Sequence, residues 1–185
     1  MTSRIERAAP DSSVLVVVDV QGKLARLMQD SDAMIRAQQV LIRGCRLLGV
    51  PVVWAEQLPD KLGPTVDELQ EVLEGLEPSA KSSFGCMGDE ALRSSIEDSG
   101  ASQVLLCGIE THVCVWQTAA AVLESGRSVH LVADATSSRT TMNREIGLRR
   151  MQAAGVNMSN VEMVLFEMMR DASHPNFRDV ARLLK

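Results

Sequence analysis

The sequence predicts an α/β fold, a three-layer α/β/α sandwich with helices on both faces of a mainly parallel sheet. Apolar, β-branched runs of four or five residues alternate with longer stretches of helical spacing, and a Gly or Pro punctuates the junctions. Parallel strands need crossover connections, which this alternation supplies. Length agrees: 185 residues, 45% hydrophobic and 23% charged, suit one domain with a sizeable core. One domain over 1–185, with its core from about residue 12, is therefore expected.

The run Val14-Leu15-Val16-Val17-Val18 is continuously apolar, as a strand buried on both faces requires. A helix is expected from Asp32, read as its N-cap, over Ile35, Val40, Leu41, Cys45 and Leu48, stopping at Gly49. Pro51 to Ala55 reads as a second strand. Thr65-Val66-Asp67-Glu68 matches a capping box ahead of Leu69 and Leu73, with Gly75 ending that helix. Residues 78–85 read as a polar loop. Asp89 to Ser99 is helical up to Gly100, and Val104 to Cys107 is a strand closed by Gly108. Thr111 to Ser125 is a helix rich in Ala and Val, Val129 to Val132 a strand, and Met142, Ile146 and Met151 mark a helix that stops near Gly155. Val161 to Phe166 reads as the last strand, and Pro175 fits the first turn of a final helix over Phe177, Val180, Leu183 and Leu184. The ten Met residues fall on apparent core faces, where they serve as gap fillers.

Composition narrows the function. No apolar run approaches the roughly 20 residues that cross a bilayer, and residues 1–11 are polar and charged, so neither a membrane span nor a secretory signal is expected. Lys and Arg total 19 against 24 Asp and Glu, a net charge of −5, and the chain has no Tyr, two Trp and three Phe. A nucleic-acid partner wants a basic patch or stacking aromatics, so none is expected. Four Cys at positions 45, 86, 107 and 114 hold no C-x-x-C spacing. A disulfide framework and a structural zinc are therefore not expected, and a reducing cytoplasm is the expected compartment. His112, His130 and His174 do not cluster, so no metal or other cofactor is expected.

Ligands of open parallel sheets bind at the carboxyl ends of strands, where strand order reverses. Asp19 ends the first strand. It reads either as a partly desolvated general base or as a cap for the next turn. Cys114 follows Gly108-Ile109-Glu110-Thr111-His112-Val113, in the expected first turn of a helix. There the free backbone N–H groups and the dipole favour a thiolate and offer an oxyanion hole, although a Cys is also an ordinary small core residue. Lys81 lies in the polar loop, where a lysine alone is normally just solvated. Gly75 to Ser82 reads G-x-x-x-x-A-K-S, a near miss to a phosphate-binding loop. It lacks the second glycine and follows a helix rather than a strand.

Taken together, these segments resemble the isochorismatase-like cysteine hydrolase superfamily. The matches are Val16-Val17-Val18-Asp19-Val20-Gln21, Lys81-Ser82-Ser83-Phe84 and Gly108 to Val115. Asp134-Ala135-Thr136-Ser137-Ser138-Arg139 and His174-Pro175-Asn176-Phe177 are similar to the isochorismatase-domain-containing branch and extend the likeness over residues 12–185. The resemblance implies a six-stranded parallel sheet in the order 3-2-1-4-5-6, with strands 1 and 4 side by side. It implies a triad of Asp19, Lys81 and Cys114, an oxyanion hole from the backbone N–H groups of Glu110 and Cys114, and a cis peptide at Ile109-Glu110. Gln21, Glu56, Phe84, Ile109 and His112 would then surround a substrate pocket.

The cysteine sets this chain apart from true isochorismatases, which lack it, and makes it more similar to the amidase-type members. Nicotinamidases of this fold hold a metal through an Asp-x-His beyond the second strand, whereas Trp54-Ala55-Glu56-Gln57-Leu58-Pro59 contains no His. The resemblance thus implies metal-independent hydrolysis of a small amide or related C–N substrate by a homo-oligomer. The other implied reading is an interaction protein that retains the fold and acts through an assembly surface.

Overall fold

A computed structural model describes residues 6–185. The polar start discussed above lies, over residues 1–5, outside the described residues. The first strand, β1 (Ser13–Val18), is buried along its whole length. Then follow α1 (Gly22–Arg26), α2 (Ser31–Leu47), β2 (Val52–Gln57), α3 (Pro59–Leu62), α4 (Asp67–Gln70), β3 (Ser79–Lys81) and α5 (Glu90–Asp98). The second half contains β4 (Gln103–Ile109), α6 (Trp116–Glu124), β5 (Ser128–Ser137), α7 (Thr141–Ala153), β6 (Asn157–Ser159), α8 (Val161–Met169) and α9 (Phe177–Leu183).

The six strands form one sheet in the order β3-β2-β1-β4-β5-β6, every pairing parallel. Alternation along β1 feeds two cores. Leu15 and Val17 pack with residues of α2, α8 and α9, while Val14, Val16 and Val18 pack with α5, α6 and α7. From Val14 to Val18 the strand serves both layers and leaves no position for a polar side chain, which explains the unbroken apolar run. Among the described residues no helix is long and apolar enough to cross a membrane.

Several local expectations fail, each for a physical reason. Val161 to Phe166 is helix, not strand: Val161, Val164, Leu165, Met168 and Met169 are buried at helical spacing, and the Asn160 side chain caps the start by accepting from the Met163 N–H at 2.8 Å. The last strand is the shorter β6 just before it. The loop around Lys81 contains β3, a three-residue edge strand too short to show a pattern. Thr65 caps nothing, because its N–H and hydroxyl both donate to Glu56 Oε1, at 2.7 and 2.8 Å. That helix is only the four residues of α4, followed by a short 3-10 turn. The long helix begins at Ser31, so Asp32 lies inside it. On α7 only Met151 of the expected apolar set is buried, with Met142 and Ile146 facing outward.

The join of β1 to β4 positions the site. Val18 pairs with Gly108, so the chain leaves both strands side by side at the place where strand order reverses. Gly108 has φ +117°, and a side chain there would collide with the Val18 carbonyl oxygen and lie 2.7 Å from its nitrogen. Only glycine fits. Gly108→Ala is expected to cost about 3 kcal/mol through overpacking and backbone strain, read from the urea midpoint. An unshifted midpoint would contradict this account of the junction.

Candidate active site

Asp19 is the first residue after β1, held at φ 56°, in the left-handed region that Asp tolerates better than most side chains. Its N–H donates to the Ala55 carbonyl of β2, and its own carbonyl accepts from Gln21 N–H at 2.8 Å. This tight turn tucks the side chain inward, and the residue is 2% exposed.

Lys81, the last residue of β3, is equally buried. Its Nζ donates to Asp19 Oδ2 at 2.7 Å and Gln57 Oε1 at 2.6 Å, and is within 3.1 Å of the Ser83 carbonyl and 3.0 Å of the Phe84 carbonyl. Four acceptors around one ammonium replace the water it lost on burial.

Cys114 sits in a π-helical turn, Thr111–Val115, inserted between β4 and α6. The Glu110 carbonyl anchors this turn by accepting from the Val113 and Val115 N–H groups, at 3.0 and 3.3 Å. The peptide bond joining Ile109 to Glu110 is cis. The thiol neighbours the Asp19 carboxylate, a contact that favours the ionised carboxylate and holds the proton on the sulfur. Asp19 Oδ1 is fully buried and makes no complete hydrogen bond among the described residues, which leaves a lone pair free beside the sulfur.

The electrostatics differ from the helix-terminus expectation. Burial, followed by the neighbouring Asp19 charge, pushes the Cys114 thiol up to about 12, against the opposing pull of Lys81. Dipole stabilisation loses because α6 proper starts only at Trp116 and the thiol abuts a carboxylate. Desolvation also raises Asp19 above 3.8, despite the ammonium beside it. At neutral pH the resting cysteine is therefore a thiol.

The other expected pocket residues divide. Gln21 is fully buried and committed to the backbone of Gln57 and Gly63, and Glu56 is committed to Thr65. Ile109 is wholly buried in the core, so these three are structural supports and not free pocket walls. Phe84 is 55% exposed beside the Lys81 loop. His112 is half-buried, its Nδ1 3.1 Å from Ser138 Oγ. The Glu110 side chain is turned away from solvent and accepts from the Arg139 backbone N–H at 3.0 Å and its Nε at 3.1 and 3.2 Å, so the Asp134–Arg139 stretch braces the Cys114 turn.

Sequence reasoning missed Gln57, whose side chain accepts from Lys81 and donates to the Ser82 carbonyl at 2.9 Å. Its signal was its place at the end of the strand next to β1.

Lys81→Met would leave Asp19 buried without its counter-charge, a loss of about 3 kcal/mol or more at neutral pH. Its native pKa would rise further above 3.8, so the native state would hold a proton that the unfolded chain releases. Stability of the variant, relative to the parent, should then fall as pH rises above about 4. Urea titrations between pH 4 and 8 measure this, and a difference that does not grow with pH would refute the pairing.

Comparison with known proteins identifies the family. Residues 13–163 match the isochorismatase domain. Isochorismatase domain-containing protein 2 of Danio rerio is 40% identical over 181 residues, covering 97% of this chain and 90% of the relative. A secreted isochorismatase effector, Isc1, of Phytophthora sojae is 37% identical over 188 residues, covering 100% of this chain and 90% of the relative. Among solved structures, the MAR1 ribonuclease of Caenorhabditis elegans superposes with a TM-score of 0.91 at 34% identity, covering 97% of this chain and 92% of that one. A domain match over most of the chain, relatives near 40% identity and the shared sheet order agree, and the chain belongs to the isochorismatase family.

Proposed function

We propose that this chain is a cysteine hydrolase of a small amide or related C–N substrate, working without a metal through Asp19, Lys81 and Cys114. The observation that carries the reading is the buried Asp19–Lys81 pair, 2.7 Å apart, with the Cys114 thiol against the same carboxylate. A neutral thiol needs a base at hand, and the raised Asp19 is a stronger base than an ordinary carboxylate. Asp19 takes the thiol proton as sulfur attacks the carbonyl or imine carbon, and Lys81 holds the negative charge in place. The backbone N–H groups of Glu110 and Cys114 receive the oxyanion. Collapse breaks the C–N bond while Asp19 protonates the leaving amine. Asp19 then activates water, which cleaves the thioester and frees the acid and the thiol.

Substrate polarity at the mouth would come from His112 and Arg139, and apolar contact from Phe84. The ribonuclease named for the C. elegans relative suggests RNA as a second substrate class. The net charge of −5 and the depth of the thiol favour a small molecule over a polynucleotide. Self-association is part of the same proposal, supported by Met142 and Ile146, which present apolar surface on α7 at 69% and 49% exposure.

A panel of small amides, ureides and nitriles, with a structured RNA alongside, tests the reaction. Turnover of a panel member should fall about a thousandfold or more in Cys114→Ala. Turnover that survives this change, or RNA cleavage as the sole activity, would defeat the proposal. The acid limb of kcat/KM should lie above pH 3.8, since the base must be ionised and burial has raised it. A limb at or below the ordinary carboxylate value would remove Asp19 from the base role. At pH 7 iodoacetamide should label Cys114, 8% exposed, ahead of the fully buried Cys45, Cys86 and Cys107. Equal labelling of Cys86 would count against Cys114 as the one accessible nucleophile of the site.

A further inference from the structure

Cys86 is a buried nucleophilic group that the hydrolytic reading leaves unused. It opens the short 3-10 turn Cys86–Gly88 behind the Lys81 loop and is wholly buried. Its backbone N–H donates to Thr118 Oγ1 at 3.0 Å, and the same hydroxyl donates to the Cys114 carbonyl at 2.7 Å. One hydroxyl therefore clamps the main chains of the two cysteines together. Gly85, just before, packs on the Gln117 backbone so closely that a side chain there would sit 3.1 Å from its carbonyl carbon. Both thiols are free and belong to the same apolar cluster, and each lies within the field of Asp19 and Lys81. Cys45 and Cys107 belong to the cluster on the opposite side of the sheet.

We infer that Cys114 and Cys86 form an oxidative modification site, with Cys86 resolving a Cys114 sulfenic acid into a Cys86–Cys114 disulfide when a hydroperoxide enters the site. Asp19 accepts the Cys114 proton as sulfur attacks the outer peroxide oxygen. The O–O bond breaks, the proton passes to the departing oxygen as alcohol or water, and Cys114 becomes the sulfenic acid. The Cys86 sulfur then attacks the sulfenic sulfur. An S–S bond forms, the S–O bond breaks, and hydroxide leaves with the Cys86 proton as water. Two thiols lose two electrons and one hydroperoxide gains them.

Exposure divides the roles. Cys114 alone of the two meets a dissolved oxidant, while Cys86, at 0% exposure, meets only what Cys114 has become. The disulfide would block the nucleophile reversibly, where a sulfinic acid would destroy it. A bridge asks for Cα atoms about 5.5–6 Å apart, and the shared hydroxyl ties the two main chains to each other through bonds of 3.0 and 2.7 Å.

The proposal shares with the hydrolase reading only the proton transfer from Cys114 to Asp19, and its readout needs no turnover. The purified full chain is treated with one equivalent of hydrogen peroxide, quenched in acid, alkylated while denatured, and digested without reductant. The expected main oxidised product is the Cys86 peptide joined to the Cys114 peptide, lighter than the two thiol peptides by two hydrogens and separated by dithiothreitol. In Cys86→Ala, or Cys86→Ser if the first is poorly folded, two equivalents of peroxide should instead add two oxygens to Cys114, the second consumed by the unresolved sulfenic acid, and the product should resist dithiothreitol. The inference is overturned if oxidised wild-type chain carries oxygen on Cys114 with Cys86 still open to alkylation. It is equally overturned if Cys114 resists peroxide or bridges to another cysteine. Loss of amide turnover in Cys114→Ala with no bridge in the oxidised wild type would retain the hydrolase and reject this site. A bridge without any turnover would do the reverse.

Discussion

A lysine ammonium with no exposed side-chain surface governs the rim of this sheet. Removed from water, it has to be neutralised and its protons given acceptors, and three different segments supply them. Asp19 comes from the end of β1, Gln57 from the end of β2, and the Ser83 and Phe84 carbonyls from the loop after β3. Each contribution fixes where one strand stops and which way its chain leaves. The ion pair by itself is weak evidence for stability, because desolvating both partners costs about as much as their attraction returns. Its value lies in specificity: a carboxylate held by one oxygen on an ammonium keeps its other oxygen aimed at the neighbouring strand's turn.

That neighbouring strand can approach only because of what β4 lacks. Gly108 offers no Cβ where Val18 already stands, so the ends of β1 and β4 meet closely, and the β4–β5 register shifts at the same level. Directly beyond, Asp19 bends left-handed and the π-helical turn carries Cys114. Gly147 of α7 then lets the helix settle on this turn, since a side chain there would lie 3.0 Å from the His112 nitrogen. Glu110 ties the turn to Arg139 from the other side. Two missing side chains and one buried carboxylate thus hold the candidate nucleophile in position.

The sequence made the sheet and half of this site legible, and the division follows the physics. Strands buried on both faces announce themselves, as β1 does from Val14 to Val18, because few polar side chains survive there. Their order, and with it the nearness of Asp19 to Cys114, followed from the family likeness together with the rule that ligands gather where strand order reverses. Lys81 was legible only through that likeness. Its own surroundings are polar, its strand is three residues long, and its burial arises wholly from partners 2 to 62 residues away in sequence. Val161 to Phe166 misled because a short apolar run satisfies a buried strand and a buried helix equally well, and only the Asn160 cap decides. Met142 and Ile146 misled in the opposite sense, being apolar at helical spacing on a face that this chain does not cover.

The resting state of Cys114 bears on how such a site works. With the thiol pushed up to about 12, spontaneous ionisation at pH 7 would cost on the order of 7 kcal/mol, at about 1.4 kcal/mol per pH unit. A site relying on a standing thiolate would add that cost to every turnover. A carboxylate already against the sulfur, itself raised by burial, lets the proton move as the bond to carbon forms, so no free thiolate has to exist beforehand. The Lys81 charge keeps Asp19 from drifting towards the neutral acid, which would be far too weak a base to take the thiol proton. The same burial that keeps the sulfur protonated at rest therefore ties its reactivity to Asp19, which takes the proton as an electrophile comes within reach. Reactivity in this arrangement belongs to the three groups acting together, not to the cysteine alone.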